Sequence, residues 1–233
     1  MPDSRAGYRD AVQPDPHLSV IAPRADPRAV VLVLHGGQER SEAPVPWVSP
    51  AYLRMLPFAL QLQADSRGDL AVAVIRFRVR GWNGSAMSPV ADATWALDRL
   101  VQRFPGLPIG VLGHSMGGRT ALRVGGHPAV TTVAGLAPWL PPKEPSAQLA
   151  GRSVLLVHGM ADRLTDPAAT AGFASRLRDE GTPVRHVRIP GEGHAMVGRA
   201  HRWHRLASGF LQEELLGGPR RRYETTVEGQ DGP

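Results

Sequence analysis

The segment Val111-Leu112-Gly113-His114-Ser115-Met116-Gly117-Gly118 constrains this chain more than any other. An apolar run ends in a serine with a glycine two residues before it and another two residues after it, and a helical pattern starts at once. A serine hydroxyl is a weak nucleophile unless it is held exposed beside a base. The G-x-S-x-G spacing supplies the exposure, because a strained strand-to-helix turn lifts the side chain above the sheet. Gly113 and Gly117 stand where a side chain would collide with the neighbours of the turn. The helix that follows aims its first amides at the place where negative charge would develop. With 26 glycines in the chain the spacing also arises by chance, so the rest of the sequence decides its weight.

That rest reads as alternating strands and helices, the signature of an α/β fold with a mostly parallel central sheet and helices on both faces. Continuous apolar runs, expected for strands covered on both sides, predict strands at Ala29–Leu34, Leu70–Phe77, Ile109–Leu112, Thr131–Leu136, Ser153–Val157 and Val184–Ile189. A weaker strand leads at His17–Ala22. Helical patterns fall at Pro50–Arg67, Pro89–Arg103, Met116–Gly125, Pro167–Glu180 and Val197–Leu216. Asp166 is placed to cap the fourth of these, Pro167 suits its first turn, and Gly181 suits its end. At 233 residues, with no internal repeat and no linker, the chain reads as one domain over residues 1–217. A polar tail follows at 218–233, expected to be disordered.

The net charge of +6 invites a nucleic-acid partner, and the sequence argues against one. Lys143 is the only lysine among 27 basic residues, and the arginines are scattered with no basic helix face and no aromatic-interleaved patch. Their one cluster, Arg220-Arg221-Arg222, lies in the tail. No apolar run is long enough to cross a membrane, and the first residues lack a secretory core, so a cytoplasmic protein without a membrane partner is expected. The absence of cysteine removes disulfides, thiolate metal sites and cysteine nucleophiles.

Serine chemistry needs a base, an acid to orient it, and donors for an oxyanion. Asp162, in the loop after the strand that opens Ser153-Val154-Leu155-Leu156-Val157, is the acid candidate, since Asp166 is taken by the helix cap. His194 is the base candidate among nine histidines. It alone combines the last strand with a glycine-rich turn, Gly191-Glu192-Gly193-His194. His35 and His158 close apolar strands and are expected to be held by backbone contacts, while His114 is expected to point away from the nucleophile. The oxyanion donors are the amide of Met116 and that of Gly37 or Gln38, in the turn His35-Gly36-Gly37-Gln38. No metal and no cofactor is called for.

On these segments the chain resembles the α/β-hydrolase superfamily, closest to small bacterial lid-less serine esterases and dienelactone-hydrolase-like proteins. The resemblance spans roughly residues 29–216 and rests on the HGG turn, the GHSMGG elbow, the HGMAD segment and the GEGH loop. It implies Ser115 as nucleophile, His194 as general base, Asp162 as its orienting acid and Met116 as an oxyanion amide, in the chain order of that fold. Dienelactone hydrolases use a cysteine where this chain has Ser115, so their substrate does not transfer. Haloalkane dehalogenases and epoxide hydrolases, which attack with aspartate, are set aside by the same residue.

Between the strands ending at Leu136 and starting at Ser153, where relatives insert a cap, stand four prolines in Ala137–Ser146. A stiff loop and an open site are expected. Trp47, Trp82, Trp139 and Met196 are candidate pocket walls, with loop anchoring as the competing role for the tryptophans. Arg76, Arg78 and Arg80 alternate as on a solvated strand edge, with binding of an anionic substrate carboxylate as the competing role. The expected activity is hydrolysis of a small or medium carboxylic ester through an acyl-enzyme. A thioesterase or peptidase using the same triad is the alternative within enzymes. A catalytically idle protein binding a ligand or partner is the alternative outside them.

Overall fold

The computed structural model describes residues 15–21 and 26–217. The predicted tail at 218–233 lies outside the described residues, as does Ala22. In chain order the elements are β1 (His17–Ile21), β2 (Ala29–Leu34), α1 (Pro50–Asp65), β3 (Leu70–Arg76), α2 (Ser88–Arg103) and β4 (Ile109–His114). There follow α3 (Met116–Val124), β5 (Val130–Leu136), β6 (Ser153–Gly159), α4 (Pro167–Asp179), β7 (Val184–Ile189) and α5 (Ala200–Leu216). The strands form one seven-stranded sheet in the order β1-β3-β2-β4-β5-β6-β7. Only the edge strand β1 is antiparallel to its neighbour.

The central strands are apolar along their whole length because both of their faces are covered. In β2, Val30, Leu32 and Leu34 belong to one continuous core that also holds Leu97 of α2, Leu122 of α3 and Phe173 of α4. Val31 and Val33, on the other face, pack with Met55 and Phe58 of α1 and Phe210 of α5. Each such side chain stabilises the fold by about 1.5–3 kcal/mol through burial. As predicted, Asp166 caps α4, its carboxylate accepting from the Ala168 amide at 2.8 Å. Gly181, just past the helix end, takes the left-handed φ of 78°.

Two strand ends run further than the sequence predicts. β4 continues to His114 and β6 to Gly159, because the ladder pairs His114 with Leu136 and Gly159 with Ile189. Those residues carry no apolar signal, yet the strands extend to the sheet edge where the site is built. After β3 forms on one side of β2, the chain crosses to lay β4 on the other side. The loops after β2 and β4 therefore diverge at one edge, where open α/β sheets hold their ligands.

No lid domain stands over this edge among the described residues. The connection from β5 to β6 holds one short helical turn, Ala147–Leu149. It is fastened by the buried Glu144, whose carboxylate accepts from Arg119 at 2.7 Å and from Arg123, both on α3. Arg176 of α4 donates to the Glu144 carbonyl at 2.6 Å.

Candidate active site

Ser115 sits at the sharp turn between β4 and α3 with φ 57° and ψ −119°, a conformation L residues rarely adopt. Such strain costs about 1–3 kcal/mol and persists only where the surroundings enforce it. The glycines explain how. A Cβ at Gly113 would lie 2.0 Å from the Gly117 carbonyl oxygen, and one at Gly117 would lie 2.4 Å from that of His35. The turn is so tight that neither position admits a side chain. The Ser115 amide donates to Leu136 at 3.0 Å, and its carbonyl accepts from Trp139 at 3.1 Å, which pins the turn to β5.

The loop after β7 brings His194 over this turn. Its Nε2 lies 3.0 Å from Ser115 Oγ, and its Nδ1 lies 2.8 Å from Asp162 Oδ2. A carboxylate only accepts, so Nδ1 carries the proton and Nε2 is left to accept from the serine. Asp162 is held by five donors. Oδ1 accepts from the amides of Leu164 at 2.8 Å and Thr165 at 3.0 Å. Oδ2 accepts from His194, from the Thr165 hydroxyl at 2.8 Å and from His158 Nε2 at 3.2 Å. Burial would raise the Asp162 carboxyl, but the bonds from the Thr165 amide, the His194 ring, the Thr165 hydroxyl and the Leu164 amide outweigh it and hold it at about 2. It stays ionised at any pH where the imidazole works.

His158 and Thr165 are the site residues that the sequence pattern does not reveal. The His158 ring is held mainly by side chains, with the Thr165 backbone contributing, where backbone contacts alone were expected. Its Nδ1 lies 2.7 Å from the Thr170 hydroxyl, and its Nε2 faces Asp162 and the Thr165 hydroxyl, 3.2 Å from each. Desolvation lowers its pKa, which favours the neutral ring, so Nε2 carries the single proton and Nδ1 accepts from Thr170. Thr165 Oγ1 also lies 3.0 Å from His194 Nδ1, so one hydroxyl touches both the acid and the base. The spacing of His158 and Asp162, four residues apart across a strand end, was the signal available.

His114 corrects a second expectation. Its ring does not point away, because Nε2 donates to the His194 carbonyl at 2.9 Å and the two imidazoles lie 4.8 Å apart. Burial first, then the nearby His194, lowers its pKa to about 3, so it anchors the base loop as a neutral donor. His35 behaves as expected. Nδ1 donates to the Gly36 carbonyl at 2.6 Å, and Nε2 accepts from the Phe77 amide at 3.1 Å. Burial holds this ring at about 4.

The oxyanion turn resolves the choice left open above. The Gln38 amide donates to the Arg80 carbonyl at 2.8 Å, which commits it to structure and removes it as a donor. The amides of Gly37 and Met116 make no hydrogen bond among the described residues. Gly37 packs against Met116, for a Cβ there would meet the Met116 thioether at 2.4 Å.

The four candidate pocket residues all have packing partners within the fold, and for the tryptophans these fit the anchoring role. Trp47 stacks edge-on with His17 and Tyr52 beneath the Arg76 guanidinium, 4.2 Å from its ring, and so anchors its own loop to the sheet edge. Trp82 and Trp139 meet edge to face at 6.1 Å, with Arg119 3.8 Å from the first and 4.7 Å from the second. Met196 is buried with Trp203 and Leu206 in the core under α5. Of the alternating arginines, Arg80 is exposed, whereas Arg76 and Arg78 are only partly so. Arg78 pairs with the buried Asp92 at 2.7 Å, while Arg76 and Arg80 donate to the carbonyls of Val45 and Pro44.

Known proteins share this architecture. Residues 134–217 match the model of the prolyl oligopeptidase family, just over a third of the chain. A lid-less α/β serine hydrolase from Xanthomonas campestris superposes with a TM-score of 0.59 at 20% identity, covering 87% of this chain and 88% of that one. The chain has the α/β-hydrolase fold. A protein of unknown function from Agrobacterium tumefaciens superposes at 0.69 with 18% identity, covering 88% and 94% of the two chains. Est1E from Butyrivibrio proteoclasticus, with ferulic acid bound, reaches 0.66 at 13% identity, covering 86% and 96%. No curated protein sequence matches. Among the described residues no helix is long and apolar enough to cross a membrane.

Proposed function

We propose that the chain is a serine hydrolase that cleaves carboxylic esters of small or medium size. The observation that carries this reading is the unbroken chain from Ser115 Oγ through His194 to Asp162, at 3.0 Å and 2.8 Å. In this mechanism His194 Nε2 takes the hydroxyl proton as Ser115 Oγ bonds to the acyl carbon. The carbonyl electron pair moves onto the oxygen, where the amides of Met116 and Gly37 stabilise it. The alkoxide leaves with the proton from Nε2. Water then attacks the acyl-enzyme with His194 again as base, releasing the acid and restoring Ser115. The bonds on Asp162 keep its charge aimed at Nδ1, which stabilises the imidazolium formed in both steps. No metal or cofactor enters this scheme.

The match to the prolyl oligopeptidase family supports amide cleavage as the second reading, since the same triad serves acyl transfer from either leaving group. Rates on ester, thioester and anilide analogues of one acyl group separate the two. We expect the ester to turn over fastest, with that activity lost in Ser115→Ala and His194→Ala proteins that melt like wild type. Ester turnover retained by purified Ser115→Ala would overturn the proposal.

A further inference from the structure

A cleft of about 430 Å³ opens beside the oxyanion turn. One wall is the turn itself, from Gly36 to Gln38, which carries the Gly37 amide named above as a candidate oxyanion donor and packs against the elbow, a Cβ on Gly36 lying 3.3 Å from Ser115 Cβ. The other walls are the entry and first turn of α1, including Arg54, and Arg80 from the segment after β3. Val45, Pro46 and Val48 give it apolar surface.

Its charge is one-sided. No carboxylate lines it among the described residues, whereas two guanidinium groups do. Arg54, half-buried, makes no hydrogen bond and no ion pair among the described residues. Its charge reaches inward far enough to disfavour protonation of His114, the residue before the nucleophile. Arg80 is exposed and uses only Nε, on the Pro44 carbonyl at 3.1 Å, which leaves its terminal nitrogens free to donate. The start of α1 adds the positive end of its helix dipole, which no side chain caps. By contrast, several other arginines among the described residues carry a carboxylate partner. Arg78 has Asp92, and Arg119 and Arg123 have Glu144. Hydrolysis of a neutral ester gives the Arg54 guanidinium and the terminal nitrogens of Arg80 no partner.

We propose that this cleft is an anion subsite, and that the substrate of the Ser115 centre is an ester whose group lodged there carries a carboxylate bound by Arg54 and Arg80. The apolar walls suit a short hydrocarbon between that carboxylate and the scissile bond, and planar guanidinium forks match carboxylate oxygens. The inference rests on the hydrolase reading and names its substrate class.

Matched ester pairs test it. Mono-4-nitrophenyl glutarate against 4-nitrophenyl valerate places the charge on the acyl side. The acetate ester of 4-hydroxybenzoate against that of its methyl ester places it on the alcohol side. We expect the wild type to prefer the anionic member of one pair. The preference, as a ratio of kcat/KM, should fall on the order of tenfold to a hundredfold in Arg54→Gln/Arg80→Gln, less in Arg54→Gln alone, and shrink with added salt. The pair that responds tells which side enters the cleft. A ratio equal in wild type and double variant for both pairs overturns the proposal. Binding tests the subsite independently should no ester turn over. An NMR titration of Ser115→Ala with monomethyl glutarate and methyl valerate should show anion-selective binding that the arginine substitutions remove. Equal binding of the two ligands, or selectivity that survives the substitutions, overturns the subsite whatever becomes of the hydrolase reading.

Discussion

Acid should unfold this protein earlier than its carboxylates alone would dictate. His35 and His114 are each 1% exposed, with pKa values lowered by burial to about 4 and about 3 from 6.5. In the unfolded chain both rings regain their ordinary value. Between pH 6.5 and pH 4 the unfolded state therefore binds protons that the native state refuses, and stability falls as pH falls. From pH 7 to pH 5 each ring removes about 2 kcal/mol, so the pair removes about 4 kcal/mol, a large share of the 5–15 kcal/mol typical of a domain. His158, His186 and His204, each lowered first by desolvation and His186 to about 4, act in the same direction. Asp92, whose carboxyl burial raises, acts in the opposite one. Asp162, held at about 2, adds its own loss only below pH 4. Urea unfolding at pH 7.0 and pH 5.0 measures the difference directly, and His114→Asn, which keeps a donor for the His194 carbonyl, should reduce it by about 2 kcal/mol. Equal unfolding free energies at the two pH values would refute the reasoning, since rings that protonate freely in the native state cannot be buried as described.

Two further substitutions probe the site and its support. Thr165→Val removes the hydroxyl shared by Asp162 and His194, and we expect kcat on a good ester to fall about tenfold, the weight of one hydrogen bond to a charged group, with KM nearly constant. A change confined to KM would show that the hydroxyl does not orient the triad. Glu144→Gln leaves Arg119, wedged between Trp82 and Trp139, without its counter-charge. Thermal and urea unfolding should register a loss of about 3–5 kcal/mol. A loss below 1 kcal/mol would mean that the pair is not sealed from water.

What the sequence discloses and what it hides divide along physical lines. Ala29–Leu34 was legible to the residue because a strand covered on both faces must be apolar throughout, and Val184–Ile189 was legible although Arg185, His186 and Arg188 break its apolar run, as a strand at the edge of the sheet allows. Ser115, Asp162 and His194 were legible because each follows a strand at the sheet edge, and the structure brings them together. The bonds that position them were hidden. Thr165 reaches Asp162 and His194 only because the loop after β6 folds back on itself, and no local pattern encodes that return. The tryptophans misled for a related reason. An aromatic near a site serves equally as wall or anchor, and the choice fell to Arg76 and Arg119, whose guanidiniums occupy the ring faces. Arg54 carried no signal at all, since a lone arginine on an amphipathic helix is ordinary until the cleft beside it is seen.

The central claim is that His194 and Asp162 activate the hydroxyl of Ser115. Intact-mass spectrometry after treatment with a fluorophosphonate, on wild type and Ser115→Ala in parallel, tests it most directly. The account predicts one adduct on the wild type and none on the variant. An unmodified wild-type protein that is fully folded, or an adduct that persists in Ser115→Ala, would contradict it.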